Sequence, residues 1–301
     1  MIIVDYSQIA LASIIVQRID DPELIRHICL NTLRMYNKKY REEYGQMVLA
    51  CDGFNSWRKQ FFPEYKGNRK KNRSASELDW NIIFGTLNDL REEIKDNFPW
   101  KVLHLDECEA DDIIATLTMQ TQEFGLHEPV MIISSDKDFI QLQKFNNVKQ
   151  FSPATKKLVT DPNPRLYKWN HVCRGDSGDG VPNVLSPDDT FITEQHQNQL
   201  RQAKIDGWAE NIDNLREEMG DEIYRNFQRN QTLIDFDYIP EEIQNTIINT
   251  FNETKPAPNM KVLNYLVKNR LKNLIECTCL LYTSDAADEG LGVDLGGRRI
   301  I

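Results

Sequence analysis

What most constrains this 301-residue chain is a recurring pairing of carboxylates with short apolar runs or turns, in the segments MIIVD, VLACD, ECEADD, ISSDKD and RGDSGD. The acids concerned are Asp5, Asp52, Glu109, Asp111, Asp112, Asp136, Asp138, Asp176 and Asp179. An acid just past a buried strand sits where an open α/β sheet presents its ligands. The apolar runs Ile2 to Val4, Met47 to Ala50, Val102 to Leu105, Val130 to Ile133 and Val148 to Phe151 predict strands. Between them, helical periodicity covers Gln8 to Gln17, Pro22 to Tyr40, Leu78 to Asn97 and Ala110 to Gln122. Strands alternating with helices imply an α/β fold, a mostly parallel sheet flanked by helices on both faces.

Beyond about Asp161 the strand signals fade. Helical patterns follow at Gln195 to Lys204, Asp213 to Glu218, Asp221 to Arg229, Glu241 to Thr254 and Met260 to Leu274. The expected organisation is an α/β part over 1–160 and a helical part over 161–278. From Cys279 the sequence CLLYTSDAADEGLGVDLGGRRII has four glycines in its last dozen residues and no amphipathic period. It reads as the conceptual translation of a sequencing adapter, so 279–301 is expected to be a non-native tail. No run approaches the roughly 18–20 apolar residues of a membrane span. The start MIIVDYS lacks the basic region of a signal peptide and reads as a strand, so a cytoplasmic protein is expected. Six scattered cysteines without a CxxC pair indicate neither a zinc site nor a disulfide framework.

Several carboxylates converging on one rim repel one another by roughly 4 kcal/mol per pair at about 4 Å and an effective dielectric near 20. Divalent cations relieve that repulsion, and oxygen-rich donors suit magnesium or manganese. Two such ions about 4 Å apart are a recurring device for cutting phosphodiesters. Each segment also has a structural reading when taken alone. Asp5 and Asp52 can serve turns, ECEADD can complement the dipole of the helix it opens, Asp136 or Asp138 can cap the helix holding Phe139 and Leu142, and RGDSGDG can be a surface loop. Five acidic runs at the expected strand ends are hard to produce by independent structural needs.

The order of Asp5, Asp52 in VLACDG, the ECEADD helix, SSDKDF and RGDSGDGVPNV resembles the structure-specific 5′ nucleases, the family of flap endonucleases and of the 5′ to 3′ exonucleases of bacterial DNA polymerases. MIIVDYSQIALA, EADDIIA, IISSDKDF, NVKQFSP and LIDFDYIP resemble its ribonuclease H branch from T-even phages. The likeness runs from Met1 to about Glu276. It implies a PIN-like nuclease fold with a helix-hairpin-helix-like turn in the helical part, and two Mg2+ ions for which Mn2+ substitutes. By that resemblance Asp5, Asp52, Glu109, Asp111, Asp136 and Asp138 bind the first metal directly or through water, and Asp176 and Asp179 help hold the second. For Asp112 a second role stays open, because adjacent helix residues point about 100° apart and it can accept hydrogen bonds at the helix end. Two positions depart from the family's usual pattern: Gly180 stands where Asn is common, and Asn183 where Gly is common.

A formal charge of −10 argues on its face against a nucleic-acid partner, but the distribution matters more than the sum. The arm Trp57 to Arg73 carries seven basic residues against Glu64 alone, interleaved with Trp57, Phe61, Phe62 and Tyr65. Basic groups attract phosphate and aromatic faces stack on unpaired bases, although a solvated charge run is the usual reading of such a stretch. The resemblance implies an arch or bridge over 57–76. In it Arg58 and Lys66 match residues that contact the scissile phosphate, with Trp57, Lys59, Tyr65, Arg69, Lys70 and Lys71 as further nucleic-acid contacts. It also implies a duplex-binding turn at Gly175 to Val184, using the backbone at Gly175, Gly178 and Gly180, with K+ as a candidate ion there. The function so implied is removal of RNA primers and 5′ flaps during replication, acting as a monomer on RNA:DNA hybrid and 5′-flap or forked DNA in a bacterial host's cytoplasm. The phage single-strand binding protein and sliding clamp are the implied partners. Two alternatives are a PIN-type endoribonuclease and a non-catalytic protein that binds branched nucleic acid.

Overall fold

The computed structural model of the protein describes residues 1–67, 78–123 and 125–275. The expectations for Arg69, Lys70, Lys71 and the 279–301 tail lie outside the described residues. Strands β1 (Ile2–Asp5), β2 (Met47–Cys51), β3 (Lys101–His104), β4 (Val130–Ile133) and β5 (Val148–Ser152) are parallel, and the short β6 (Lys157–Val159) adds an antiparallel edge. The sheet order is β3-β2-β1-β4-β5-β6. The chain therefore builds outward from β1 through β2 to β3 on one side, then crosses back to lay β4 on the other side of β1. The carboxyl end of β1 is the switch point, where an open sheet leaves a crevice.

Among the described residues the helices of this first half are α1 (Tyr6–Gln17), α2 (Pro22–Tyr44), α3 (Trp57–Phe61), α4 (Trp80–Asn97) and α5 (Ala110–Gln120). The chain continues through α6 (Pro164–Arg174), α7 (Gln202–Glu210), α8 (Leu215–Met219), α9 (Asp221–Ile234), α10 (Glu241–Glu253), α11 (Met260–Lys268) and α12 (Lys272–Ile275). Strand periodicity of two sends alternate residues to opposite faces. Ile2, Val4, Met47, Leu49, Met131 and Ile133 face one core with α1, α2 and α4, onto which Val262, Tyr265, Leu266 and Leu274 return from the far end of the chain. Ile3, Val48, Ala50 and Ile132 face a second core with Ile113, Ile114 and Leu117 of α5 and Ile243 and Ile247 of α10. A third core joins Val172 and Cys173 of α6 to Trp208, Phe227 and Leu233, and it takes in Phe62 and Tyr65 from the basic arm.

Two helices differ from the sequence reading. Residues 195–201 are not helical, because polar side chains there find better partners on a neighbouring turn: the Asn183 amide N–H donates to Gln197 Oε1 at 2.7 Å, and Asn183 Nδ2 donates to the Asn198 carbonyl at 2.8 Å. The stretch Met260 to Leu274 is interrupted between α11 and α12, where Arg270 has a left-handed backbone with φ 54°. Among the described residues no helix is long and apolar enough to cross a membrane.

Candidate metal centre and active site

β1 delivers Asp5 to the switch point. Its side chain caps α1, accepting from the Gln8 N–H at 3.1 Å, and accepts from the Ser134 hydroxyl at 3.2 Å. Gln8 Oε1 in turn accepts from Ser134 Oγ and from the Ser135 N–H, so the start of α1 and the loop after β4 hold one another. Asp52 follows β2 and accepts from the Ala110 N–H at the start of α5 at 3.0 Å. In the loop after β4, Asp136 caps a 3₁₀ helix, Lys137–Lys144, by accepting from the Asp138 N–H at 3.0 Å. The structural and functional readings of these acids are thus compatible. A capping carboxylate uses one lone pair and leaves others facing the crevice.

The acids that close the site come from farther along. Asp176 and Asp179 sit in a turn pinned by paired bonds between Asp176 and Val181, at 2.8 and 2.7 Å. Asp176 Oδ1 accepts from the Gly178 N–H at 2.7 Å. Gly175, which opens the turn, has φ +67°, and an added Cβ would lie 2.3 Å from the Val181 carbonyl oxygen. Gly180 is also left-handed at φ 72°. His171, on the last turn of α6, places Nε2 2.9 Å from Asp138 Oδ1 and 3.9 Å from Asp176 Oδ2.

Electrostatics report the crowding. Burial, then the neighbouring Asp52 and Asp136, push Asp5 up to about 7. Burial, then Asp138, push Asp136 up to about 6. Burial and Asp136 hold Asp111 well above the usual carboxylate range, and burial with Asp179 and Asp138 raises Asp176. Burial opposes charge on His171, but the close approach of Asp138 and the surrounding carboxylates outweigh it and raise its pKa. The residues fit divalent cations: hard oxygen donors from separate segments converge, and Asp138, His171 and Asp176 bring donor atoms within 4.8 Å of one another.

The basic arm is placed differently from a simple solvent-facing strip. Arg58 is buried at 3% exposure, its Nε donating to the Leu233 carbonyl at 2.8 Å and its Nη1 pairing with Asp112 at 2.7 Å and Glu109 at 3.3 Å. Asp112 also accepts from the Glu109 N–H at 2.8 Å and from Trp57 Nε1 at 3.2 Å, so it serves the helix end and a buried ion pair. Trp57 is buried in the second core and Tyr65 in the third. The Tyr65 hydroxyl lies 2.8 Å from Glu109 Oε2 and 2.7 Å from Asp179 Oδ2, bridging the two halves of the acidic cluster. Lys66 Nζ is 2.6 Å from Glu109 and 3.5 Å from Asp179. Lys59 is exposed.

Beside the acids runs a groove of about 780 Å³ lined by Asp52, Phe54, Lys59, Lys66, Trp80, Phe84, Arg91 and Glu109, among others. Trp80 and Phe84 stack at 5.6 Å on its wall. A second, narrow cavity of about 10 Å³ lies between Arg58, Tyr65, Asp111, Asp138, Asp176 and Asp179. Sequence reading missed Ser134, Gln8, Arg91, the Trp80 and Phe84 pair, and His171. The aromatic pair at i, i+4 and a histidine five residues before Asp176 were the available signals.

Two family models match the chain. Residues 22–169 match the model of the 5′-3′ exonuclease N-terminal resolvase-like domain, and 162–279 match that of the T4 RNase H C-terminal region. The ribonuclease H of Enterobacteria phage T4 is 33% identical over 285 residues, spanning 90% of this chain and 92% of that protein. The chain belongs to the 5′ nuclease family of phage ribonuclease H and the 5′–3′ exonucleases. Flap endonuclease Xni of Shewanella sp. (strain MR-4) is 29% identical over 169 residues, 52% of this chain and 56% of that one. Among solved structures, the phage T5 D15 protein crystallised with metal ions superposes with a TM-score of 0.58 at 19% identity, covering 83% of this chain and 98% of that one. The T5 flap endonuclease bound to DNA and metal ions gives 0.59 at 18% identity, over 84% and 99%. These two likenesses speak to the fold, which is that of the PIN-like 5′ nucleases.

Proposed function

We propose that this protein is a divalent-metal-dependent 5′ to 3′ nuclease that removes RNA primers and 5′ flaps from replicating DNA. The observation that carries the reading is the convergence of acids from five separate segments at the sheet's switch point, beside a basic and aromatic groove. When bound, two divalent cations, with Mg2+ the expected species, supply Lewis acidity that neutralises the phosphate and activates water. Asp5, Asp52, Asp111 and Asp136 are the acids on the β1 side that would hold one. Asp138, which the resemblance puts with the first ion, lies beside His171 and Asp176, and with Asp176 and Asp179 it would hold the other. Glu109, which opens α5, is shared between this set and the cations of the arm.

The remaining residues position rather than react. Arg58 supports Glu109 and Asp112 from beneath, fixing the helix end that presents Asp111. Lys66, beside Glu109 and Asp179, is suited to grip the phosphate and would do so when the acids hold their cations. Lys59, Arg91, Trp80 and Phe84 line a groove whose chemistry fits an unpaired strand, phosphate against the cations and bases against the rings. The turn Gly175 to Val184 is the proposed contact for the backbone of a duplex strand, and K+ there is part of the proposal.

The test uses the full chain with a labelled 5′-flap duplex, an RNA:DNA hybrid and an unpaired RNA, each with Mg2+ or with chelator. Magnesium-dependent release of 5′ products from the flap and the hybrid supports the reading. Cutting confined to unpaired RNA would favour the PIN-type endoribonuclease, and binding without cutting would favour a non-catalytic protein for branched nucleic acid.

A further inference from the structure

His171 takes no part in the carboxylate pattern, yet its imidazole is aimed into the acidic cluster. The nitrogen that approaches Asp138 at 2.9 Å also faces Asp176 at 3.9 Å, so it points into the gap between two acids that come from different segments. A histidine that only steadied Asp138 from behind has no reason to face the second acid with the same atom. The three donor atoms lie within 4.8 Å of one another, the compass of a single cation. The ring is held for this task. It sits on α6 and stacks on Tyr167, with centroids 5.9 Å apart and planes 20° apart, which limits the rotation that would carry the nitrogen out of the site.

We propose that His171 is a direct ligand of the second metal through Nε2, together with Asp138 and Asp176, making this a mixed nitrogen and oxygen site that favours Mn2+ over Mg2+. This rests on the reading that the acids hold two divalent cations, and it deepens that reading by naming the donor that sets metal choice. Mg2+ is a hard ion that takes oxygen ligands and keeps its water, whereas imidazole suits transition metals. Replacing one oxygen donor by nitrogen therefore moves the balance toward manganese without excluding magnesium.

Calorimetry on the full chain with Mn2+ and with Mg2+ reads the preference, and anomalous scattering from Mn2+ in crystals locates the ion. The expected result is a manganese peak within bonding distance of His171 Nε2 as well as Asp138 and Asp176. His171→Gln should weaken one Mn2+ site by on the order of 10- to 100-fold, with a smaller loss for Mg2+. His171→Asp, which restores an all-oxygen set, should recover binding with the preference turned toward Mg2+. A manganese peak on Asp138 and Asp176 with His171 beyond bonding distance overturns the proposal, as does no peak there, or equal losses for both metals in His171→Gln. If manganese binds as described but a 5′ flap is not cut, the nuclease reading fails while the metal assignment stands.

Discussion

Raising the pH of the metal-free protein from about 5 to about 8 should weaken it. Asp5 is pushed up to about 7 by burial and then by Asp52 and Asp136, and Asp136 to about 6 by burial and then by Asp138. In the unfolded chain both return to about 4. Between about pH 4 and pH 7 the folded protein therefore holds more protons than the unfolded chain, so its stability falls as pH rises through that window. Asp5 moves from 3.8 to about 7; at about 1.36 kcal/mol per unit that is about 4 kcal/mol. This is a ceiling for the pair rather than for each, because the charge on Asp136 is already among the causes that raise Asp5. Urea unfolding followed by tryptophan fluorescence, in chelator at about pH 5 and about pH 8, reads the difference directly. Saturating Mg2+ should abolish most of the slope, since the cation then replaces the protons. A midpoint that stays level or rises with pH in chelator would refute the argument that these acids are crowded against one another.

Three substitutions probe other parts of the account. Arg58→Ala leaves Asp112 buried without its counter-ion, while Glu109 keeps Lys66 and Tyr65, and should cost about 3–5 kcal/mol in urea unfolding; a loss below about 1 kcal/mol would mean the guanidinium is not the counter-ion of the α5 end. Gly175→Ala forces a side chain onto a left-handed backbone 2.3 Å from the Val181 carbonyl oxygen, so about 1–3 kcal/mol of stability should be lost, with weaker duplex binding in a gel-shift assay. Asp136→Asn should lower single-turnover cleavage on the order of 100-fold while the metal-free protein becomes no less stable. Retained turnover would remove Asp136 from the metal site.

The sheet was legible because its five parallel strands, β1 to β5, are apolar runs, and acids follow at the ends of β1, β2, β3 and β4. β6 was not, since Lys157 to Val159 has one hydrophobic face residue too few to stand out and pairs only through the backbone of β5. The rim acids Asp5, Asp52 and Asp136 could be read from strand position alone. The arm could be read by composition but not by direction: that Arg58 turns inward depends on Asp112 and Glu109, more than 50 residues away, and that Tyr65 is buried depends on a helical core built after residue 164. For His171 the one signal was its place five residues before Asp176, which stays weak until the fold sets Asp138 beside it as well.

The most direct test of the central claim is single-turnover cleavage of a 5′-labelled flap duplex, with one preparation divided between chelator and Mg2+. The account predicts no cutting in chelator, full recovery when Mg2+ is added back, and short products carrying the 5′ label. Undiminished cutting in chelator, or none with either Mg2+ or Mn2+ by a folded protein, would contradict it.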